Sequence, residues 1–146
     1  MFPVFGSDYL RASIRSVRFA GDLSVKPDDA WNASESGHDS AWAWASPSDE
    51  VDVNGKPLYD LTIAGDGGIK LNVDCGYLFY RYINLKSIDF GDCVDTSNVT
   101  NIQYMFWACK SLSDVIISDH FVIDNTDKNI FYACSLTSIS DFTLVL

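Results

Sequence analysis

Apolar and polar residues alternate in three stretches of the first half, and each alternation predicts a half-buried strand. SIRSVRFA at 13–20 places Val17 and Phe19 on one face and Arg18 on the other. AWAWA at 41–45 alternates strictly, with Trp42 and Trp44 sharing a face. LYDLTIAG at 58–65 sets Tyr59, Leu61 and Ile63 against Asp60 and Thr62. Asn54-Gly55 between the last two predicts a hairpin turn, since both residue types tolerate positive φ. Gly65-Asp66-Gly67-Gly68 ends the third strand in a turn rather than a phosphate-binding loop. The stretch 21–40 reads as loop with one helical turn near Trp31.

The second half repeats. LFYRYINLKSIDF at 78–90, MFWACKSLSDVII at 105–117 and IFYACSLTSIS at 130–140 share an apolar residue, Phe, an aromatic, a short link, Leu and a strand-like stretch. The copies start 27 and 25 residues apart, and the third lacks one residue between its Cys and its Leu. Periods of about 20–29 with Leu at strand positions are those of leucine-rich repeats. Each copy carries an apolar set: Phe79, Leu85 and Ile88; Phe106, Leu112 and Val115 or Ile116; Phe131, Leu136 and Ile139. One unit of this size cannot bury such a set alone, whereas stacked units close a shared core and pair their strands in parallel. DTSNVTN at 95–101 is rich in capping residues and predicts entry into a short helix containing Tyr104 and Met105. The expected fold is therefore α/β: a short leucine-rich-repeat solenoid of about 2.5 repeats, parallel strands plus short helices, with an N-terminal β-rich cap. Residues 1–76 form the hairpin-containing cap and 77–146 the repeats, in one continuous folding unit. Strands are expected near 87–90, 114–117 and 137–140.

The stretch from Asp95 to Leu112, D-T-S-N-V-T-N-x-x-x-M-F-x-x-C-x-S-L, resembles the signature repeat of BspA-like leucine-rich-repeat proteins. The matching part runs from Tyr77 to about Asp141, and the segment before it is similar to what precedes such repeats in proteins of gut Firmicutes. The resemblance implies a surface or secreted bacterial protein that binds other proteins and adheres. Family members usually carry many repeats, a signal peptide and a wall or membrane attachment, and this chain departs from all three. Its N-terminus has no basic start and no apolar run of about 7–15 residues. A chain working in the cytoplasm where it is made and a domain cut from a longer exported protein both remain open.

Charge narrows the partners. Ten Lys and Arg stand against twenty Asp and Glu, a net charge of −10. Such a chain repels phosphate backbones and anionic lipid, which excludes direct nucleic-acid binding through a basic patch and favours basic or neutral protein partners. No apolar run approaches the roughly 20 residues that cross a bilayer, so no membrane insertion is expected.

Candidate chemistry is sparse. Cys75, Cys93, Cys109 and Cys134 form no C-x2-C pair, and neither His38 nor His120 stands at ligand spacing from them. The thiols are expected free and buried, with disulfide pairing left open. Cys109 and Cys134 occupy the same place in successive units and are expected as interior neighbours. Asp124, Asp127 and Asn129 miss the spacing of a calcium loop. No catalytic motif appears, and no cofactor, metal or enzymatic activity is expected. Trp42 and Trp44 read as packing under the cap rather than as a sugar platform. Trp107 and Tyr132, set level with Arg81 of the first copy, read as partly exposed and are the candidate partner anchors. Two functions follow. One is a non-enzymatic protein-binding or adhesion module contacting a host or bacterial surface protein. The other is a small acidic intracellular inhibitor, phage-encoded in one version, that binds a basic nucleic-acid-binding protein.

Overall fold

The computed structural model describes residues 7–34, 40–123 and 129–144. Asp124 and Asp127 of the calcium reading, His38 and the side chain of Ile139 lie outside that description. Nine strands follow one another: β1 (Ile14–Ala20), β2 (Trp31–Asn32), β3 (Trp42–Val51), β4 (Pro57–Ala64), β5 (Ile69–Lys70), β6 (Ser87–Asp89), β7 (Val94–Asp95), β8 (Asp114–Ile117) and β9 (Thr143–Leu144). Seven of them make one mixed sheet in the order β2-β3-β4-β1-β6-β8-β9, and β5 pairs with β7 in a second. β3 and β4 are antiparallel, while β1 runs parallel to both β4 and β6.

The expected solenoid of parallel strands and short helices is overturned. Among the described residues there is no α-helix; two 3-10 turns, Arg11–Ser13 and Ile139–Asp141, are the helical elements, and the main sheet is mixed. The physical reason lies in the backbone of the segments expected to be helical. Tyr77 and Arg81 in the first copy and Tyr104 and Ala108 in the second hold φ near +60°. A left-handed residue every fourth position breaks an α-helix before it can pass its costly first turn. Their amides bond sideways to the next copy instead: Tyr77 N–H donates to Gln103 at 3.1 Å, Phe79 to Met105 at 2.8 Å and Arg81 to Trp107 at 2.9 Å. Phe106 and Ala108 repeat this onto Ile130 and Tyr132, both at 3.0 Å. The capping residues of 95–101 close local turns, with Asp95 accepting from Ser97 N–H at 2.8 Å and Asn101 from Gln103 N–H at 3.0 Å.

The N-terminal strands stand together at one end of the repeat strands, and β1 pairs along the edge of β6. β1 lies inside the sheet, with Val17 opposite Leu61 on one side and Ile88 on the other, so pairing crosses the expected boundary at 76–77. Arg11 reinforces this junction. Its guanidinium donates to the carbonyls of Tyr77, Leu78 and Tyr80 at 3.3, 3.0 and 3.2 Å and lies 5.4 Å from the centre of the Tyr82 ring. The third expected strand is displaced: 137–140 runs into the 3-10 turn, and β9 pairs with β8 three residues further on.

The core is a row of phenylalanines. Phe79 stacks on Phe106 at 5.7 Å and Phe106 on Phe131 at 5.5 Å, with planes within 6° and 8° of parallel. Phe142 packs edge-on across Phe106 and Phe131, and Phe90 joins the row to Phe19 of β1. Leu85, Ile88, Leu112 and Val115 are buried alongside, whereas Phe131 and Leu136 are half-buried. Ala43, opposite Ile63, faces this core, so Trp42 and Trp44 lie on the other face of β3. Trp44 is buried there, and the Lys26 ammonium sits 4.7 Å over the ring of half-buried Trp42. All four cysteines are free thiols. Cys109 is buried, bonded to the Phe79 carbonyl at 3.1 Å, while Cys134 is only half-buried. Burial pushes Cys75 up to about 11 and raises the other three, so all stay protonated near neutral pH.

Tyr82 stands out within this core. Its side chain is fully buried, and its hydroxyl has no hydrogen-bond partner among the described residues. An unpaired buried hydroxyl loses its water without compensation. Tyr82→Phe is therefore expected to stabilise the fold by about 1 kcal/mol in urea denaturation. A loss of similar size would mean that the hydroxyl bonds to an internal water.

On the outer face of the sheet, Arg15 binds Asp60 at 2.9 Å and Glu50 at 2.9 Å, and Lys86 binds Glu50 at 2.6 Å. The Arg15 hydrogen bond holds Asp60 below its usual 3.8, and Lys86 with Arg15 holds Glu50 below 4.5. Both folded values lie below the unfolded ones, so the unfolded chain takes up protons first as pH falls. Their stabilisation is fully present above about pH 5 and fades as pH drops through the lowered values. Arg15→Gln should consequently cost stability at pH 7 and progressively less between pH 5 and 3. A penalty unchanged at pH 3 would show that the pairs do not couple to folding.

Candidate functional site

The sideways bonds fix which side chains of successive copies stand level. Phe79 N–H reaches Met105 and Arg81 N–H reaches Trp107, which is the parallel register pairing Phe79 with Phe106 and Arg81 with Ala108. Tyr80, Trp107 and Tyr132 therefore form one row, and Tyr77 and Tyr104 form a second beside it. Trp107 and Tyr132 are thus level with Tyr80, not with Arg81 as read from the sequence. Arg81 instead shares its place with Ala108 and Ala133, all three at φ between +55° and +64°.

Five rings result, gathered around Trp107. Its ring centre lies 4.9 Å from Tyr80, 5.1 Å from Tyr104, 5.7 Å from Tyr132 and 6.1 Å from Tyr77. Tyr77 also packs on Tyr104 at 5.2 Å. The planes are splayed: Trp107 makes angles of 42° with Tyr104, 43° with Tyr80 and 74° with Tyr132. Tyr77 is 46% exposed and Tyr132 58%, while Tyr80, Tyr104 and Trp107 are half-buried. The Arg81 guanidinium flanks the strip, 5.4 Å from the centre of the Tyr80 ring.

Backbone and core together hold the strip in place. Alternation along each turn sends Phe79, Phe106 and Phe131 inward, so the next residue of each copy points outward. Left-handed residues at Tyr77, Arg81, Tyr104, Ala108 and Ala133 bend the chain around the strip. Each non-glycine residue in that region costs about 1–3 kcal/mol, strain that persists only where the surroundings over-determine it. Arg11 fixes the first turn from beneath through its three carbonyl contacts. Chemically, the strip can stack, donate hydrogen bonds from one indole N–H and from phenols, and engage cations. Among the described residues no cluster of three or more His, Cys, Asp or Glu side chains converges on a metal-sized site.

The two sequence-level anchors, Trp107 and Tyr132, do lie together; Tyr77, Tyr80 and Tyr104 were missed. Their signal was present as an aromatic three residues before the repeat aromatic, Tyr77 before Tyr80 and Tyr104 before Trp107. A separate hollow of about 470 Å³, walled by Phe19, Ile63, Ile69, Leu71 and Cys75, lies on the side of β5. Its rim includes Ser34 and Ser40, which border the undescribed residues 35–39 in sequence, and no function is assigned to it. Comparison with protein-family models, curated proteins and solved structures returns no match for this chain.

Proposed function

We propose that this chain is a non-enzymatic protein-binding module whose contact surface is the aromatic strip centred on Trp107. One observation carries the reading: five Tyr and Trp rings stand side by side at the surface, with Tyr77 and Tyr132 exposed and the other three half-buried. Tyr, Trp and Arg are the residues that most often dominate binding energy, and Tyr and Trp bury much area at little entropic cost. The BspA-like resemblance adds adhesion to a host or bacterial surface protein. The test is capture from host-cell surface extract on immobilised chain, wild type beside Trp107→Ala, with circular dichroism confirming both are folded. Truncating the hub of the strip is expected to weaken the captured partner's binding by about 30-fold or more, as for a hot spot of ~2 kcal/mol. Equal capture by both chains would refute the strip as the contact surface.

The net charge of −10 favours a second reading, an acidic inhibitor of a basic nucleic-acid-binding protein. Its mark is kinetic. Charges separated by more than about 10 Å are screened at 0.1 M salt, so a steered on-rate falls steeply as salt rises. An on-rate insensitive to salt would sink it.

A further inference from the structure

We infer that Asn54 is a site of spontaneous covalent modification, independent of the protein-binding reading above. The Gly55 backbone nitrogen closes on the Asn54 side chain, ammonia leaves, and water opens the resulting succinimide to aspartate or isoaspartate. Sequence and geometry single this residue out. Its neighbour is glycine, so no side chain blocks the approach of the Gly55 nitrogen to the Asn54 Cγ. Each of the other seven asparagines is followed by Ala, Val, Leu, Ile or Thr. Asn54 and Gly55 are both exposed, and a Cβ at Gly55 would meet nothing within 4 Å, so a five-membered ring has room to form. Among the described residues the Asn54 carboxamide makes no hydrogen bond. By contrast, Asn84 donates to the Ala12 carbonyl at 2.8 Å and Asn101 to Asp74 at 2.9 Å. Asp66-Gly67 could close the same ring but is held: Asp66 Oδ1 accepts from Leu23 N–H at 3.1 Å, and Gly67 N–H donates to Gly21 at 3.0 Å.

The reaction needs no co-reactant but water. Gly55 N–H gives its proton to solvent hydroxide, the nitrogen bonds to the Asn54 Cγ, and the Cγ–NH2 bond breaks as ammonia leaves with a proton. Water then adds to one of the two imide carbonyls. Opening at Cγ restores the ordinary backbone with aspartate at 54, and opening at the main-chain carbonyl carries the chain through Cβ and Cγ as isoaspartate. Either product adds one negative charge to the net −10. Asp52 meters the first step. Its carbonyl accepts from Gly55 N–H at 3.0 Å, and its carboxylate accepts from Asn54 N–H at 2.8 Å and Lys56 N–H at 2.9 Å. The attacking nitrogen is therefore tied up until the turn opens. The two carboxylate bonds face water, and opening such a turn takes far less free energy than global unfolding. Isoaspartate lengthens the chain inside this clasp and so loosens the end of the β3–β4 pairing, where Val51 stands opposite Pro57.

Peptide mapping by mass spectrometry, on the folded full chain held in mildly alkaline buffer, decides the matter. Asn54 is expected to gain the mass of an NH2-to-OH exchange at least about tenfold faster than any other asparagine. Methyl transfer to the chain by an isoaspartyl methyltransferase should rise in step. Asn54→Gln, whose longer side chain closes no five-membered ring, should abolish both signals while circular dichroism stays unchanged. Asp52→Ala should speed the gain about threefold or more, the effect of losing one hydrogen bond that holds the turn shut. A gain at Asn54 no faster than at the other asparagines, or undiminished methyl acceptance in Asn54→Gln, overturns the inference. So does a gain confined to chain unfolded in urea, because the folded turn would then never admit the attack. An unchanged rate in Asp52→Ala overturns the part given to Asp52.

Discussion

Phe106→Ala is expected to lower the unfolding free energy by about 3–5 kcal/mol, the usual result of truncating a buried phenylalanine. Phe106 is the middle ring of the row, with Phe79 on one side, Phe131 on the other and Phe142 packed edge-on against it. Its side chain is fully buried. The size of the loss depends on whether neighbours can collapse into the space. Here they are held back, since Phe79 N–H bonds to Met105 and Phe106 N–H to Ile130, fixing the distance between copies. The cavity should therefore stay open. For a domain whose total stability is about 5–15 kcal/mol, this variant sits near the threshold of folding. Phe131→Ala, at the half-buried end of the row, is expected to cost about half as much. Guanidinium denaturation of both variants separates the positions. A loss below about 1 kcal/mol for Phe106→Ala would show that the row does not hold the fold.

The alternation of apolar and polar residues was enough to locate β1, β3 and β4, because a period of two is local and each strand has one core face. The repeat likewise marked the buried Phe and Leu positions, since Phe79, Phe106, Leu85 and Leu112 recur at one place in each copy. What the pattern could not carry was the path between those positions. Tyr77 and Arg81 stand four positions apart, as do Tyr104 and Ala108, and tyrosine, arginine and alanine give no local sign of left-handed backbone. Alanine and arginine even favour helix, so the turns were read as helices. Lateral hydrogen bonding to the next copy overrode that preference. Sheet order was equally hidden: nothing near Val17 announces that β1 lies between β4 and β6, a pairing across some seventy residues. The displaced β9 follows the 3-10 turn Ile139–Asp141, which takes up the stretch expected as strand, so that Thr143 stands opposite Ile116. The strip was half legible. Trp107 and Tyr132 were visible within the motif, but the count that set them against Arg81 rather than Tyr80 concealed the row and its wall of Tyr77 and Tyr104.

Gly68→Ala is expected to cost about 3–4 kcal/mol, and the neighbouring Gly67→Ala about 1 kcal/mol, although both glycines have positive φ. Gly67 holds φ at +83°, and a Cβ there would point into open space. Its substitution carries only the conformational cost of placing an L-residue in that region. Gly68 holds φ at +107°, and a Cβ there would come within 2.5 Å of the Cys93 carbonyl oxygen. Backbone must then move, because neither group is the end of a flexible side chain. That same carbonyl accepts from Ile69 N–H at 2.8 Å, the bond that opens the β5–β7 pairing. Retreat of Cys93 to admit the methyl group pulls this bond apart and separates Ile69 from Val94, both buried against the core. Gly68→Ala should accordingly speed hydrogen exchange at Ile69 and Leu71, whose amides donate to Cys93 and Asp95, while β1 and β4 keep their protection. Equal stability losses in the two variants would mean that backbone conformation alone sets the cost, and that the close approach of Gly68 to Cys93 contributes nothing.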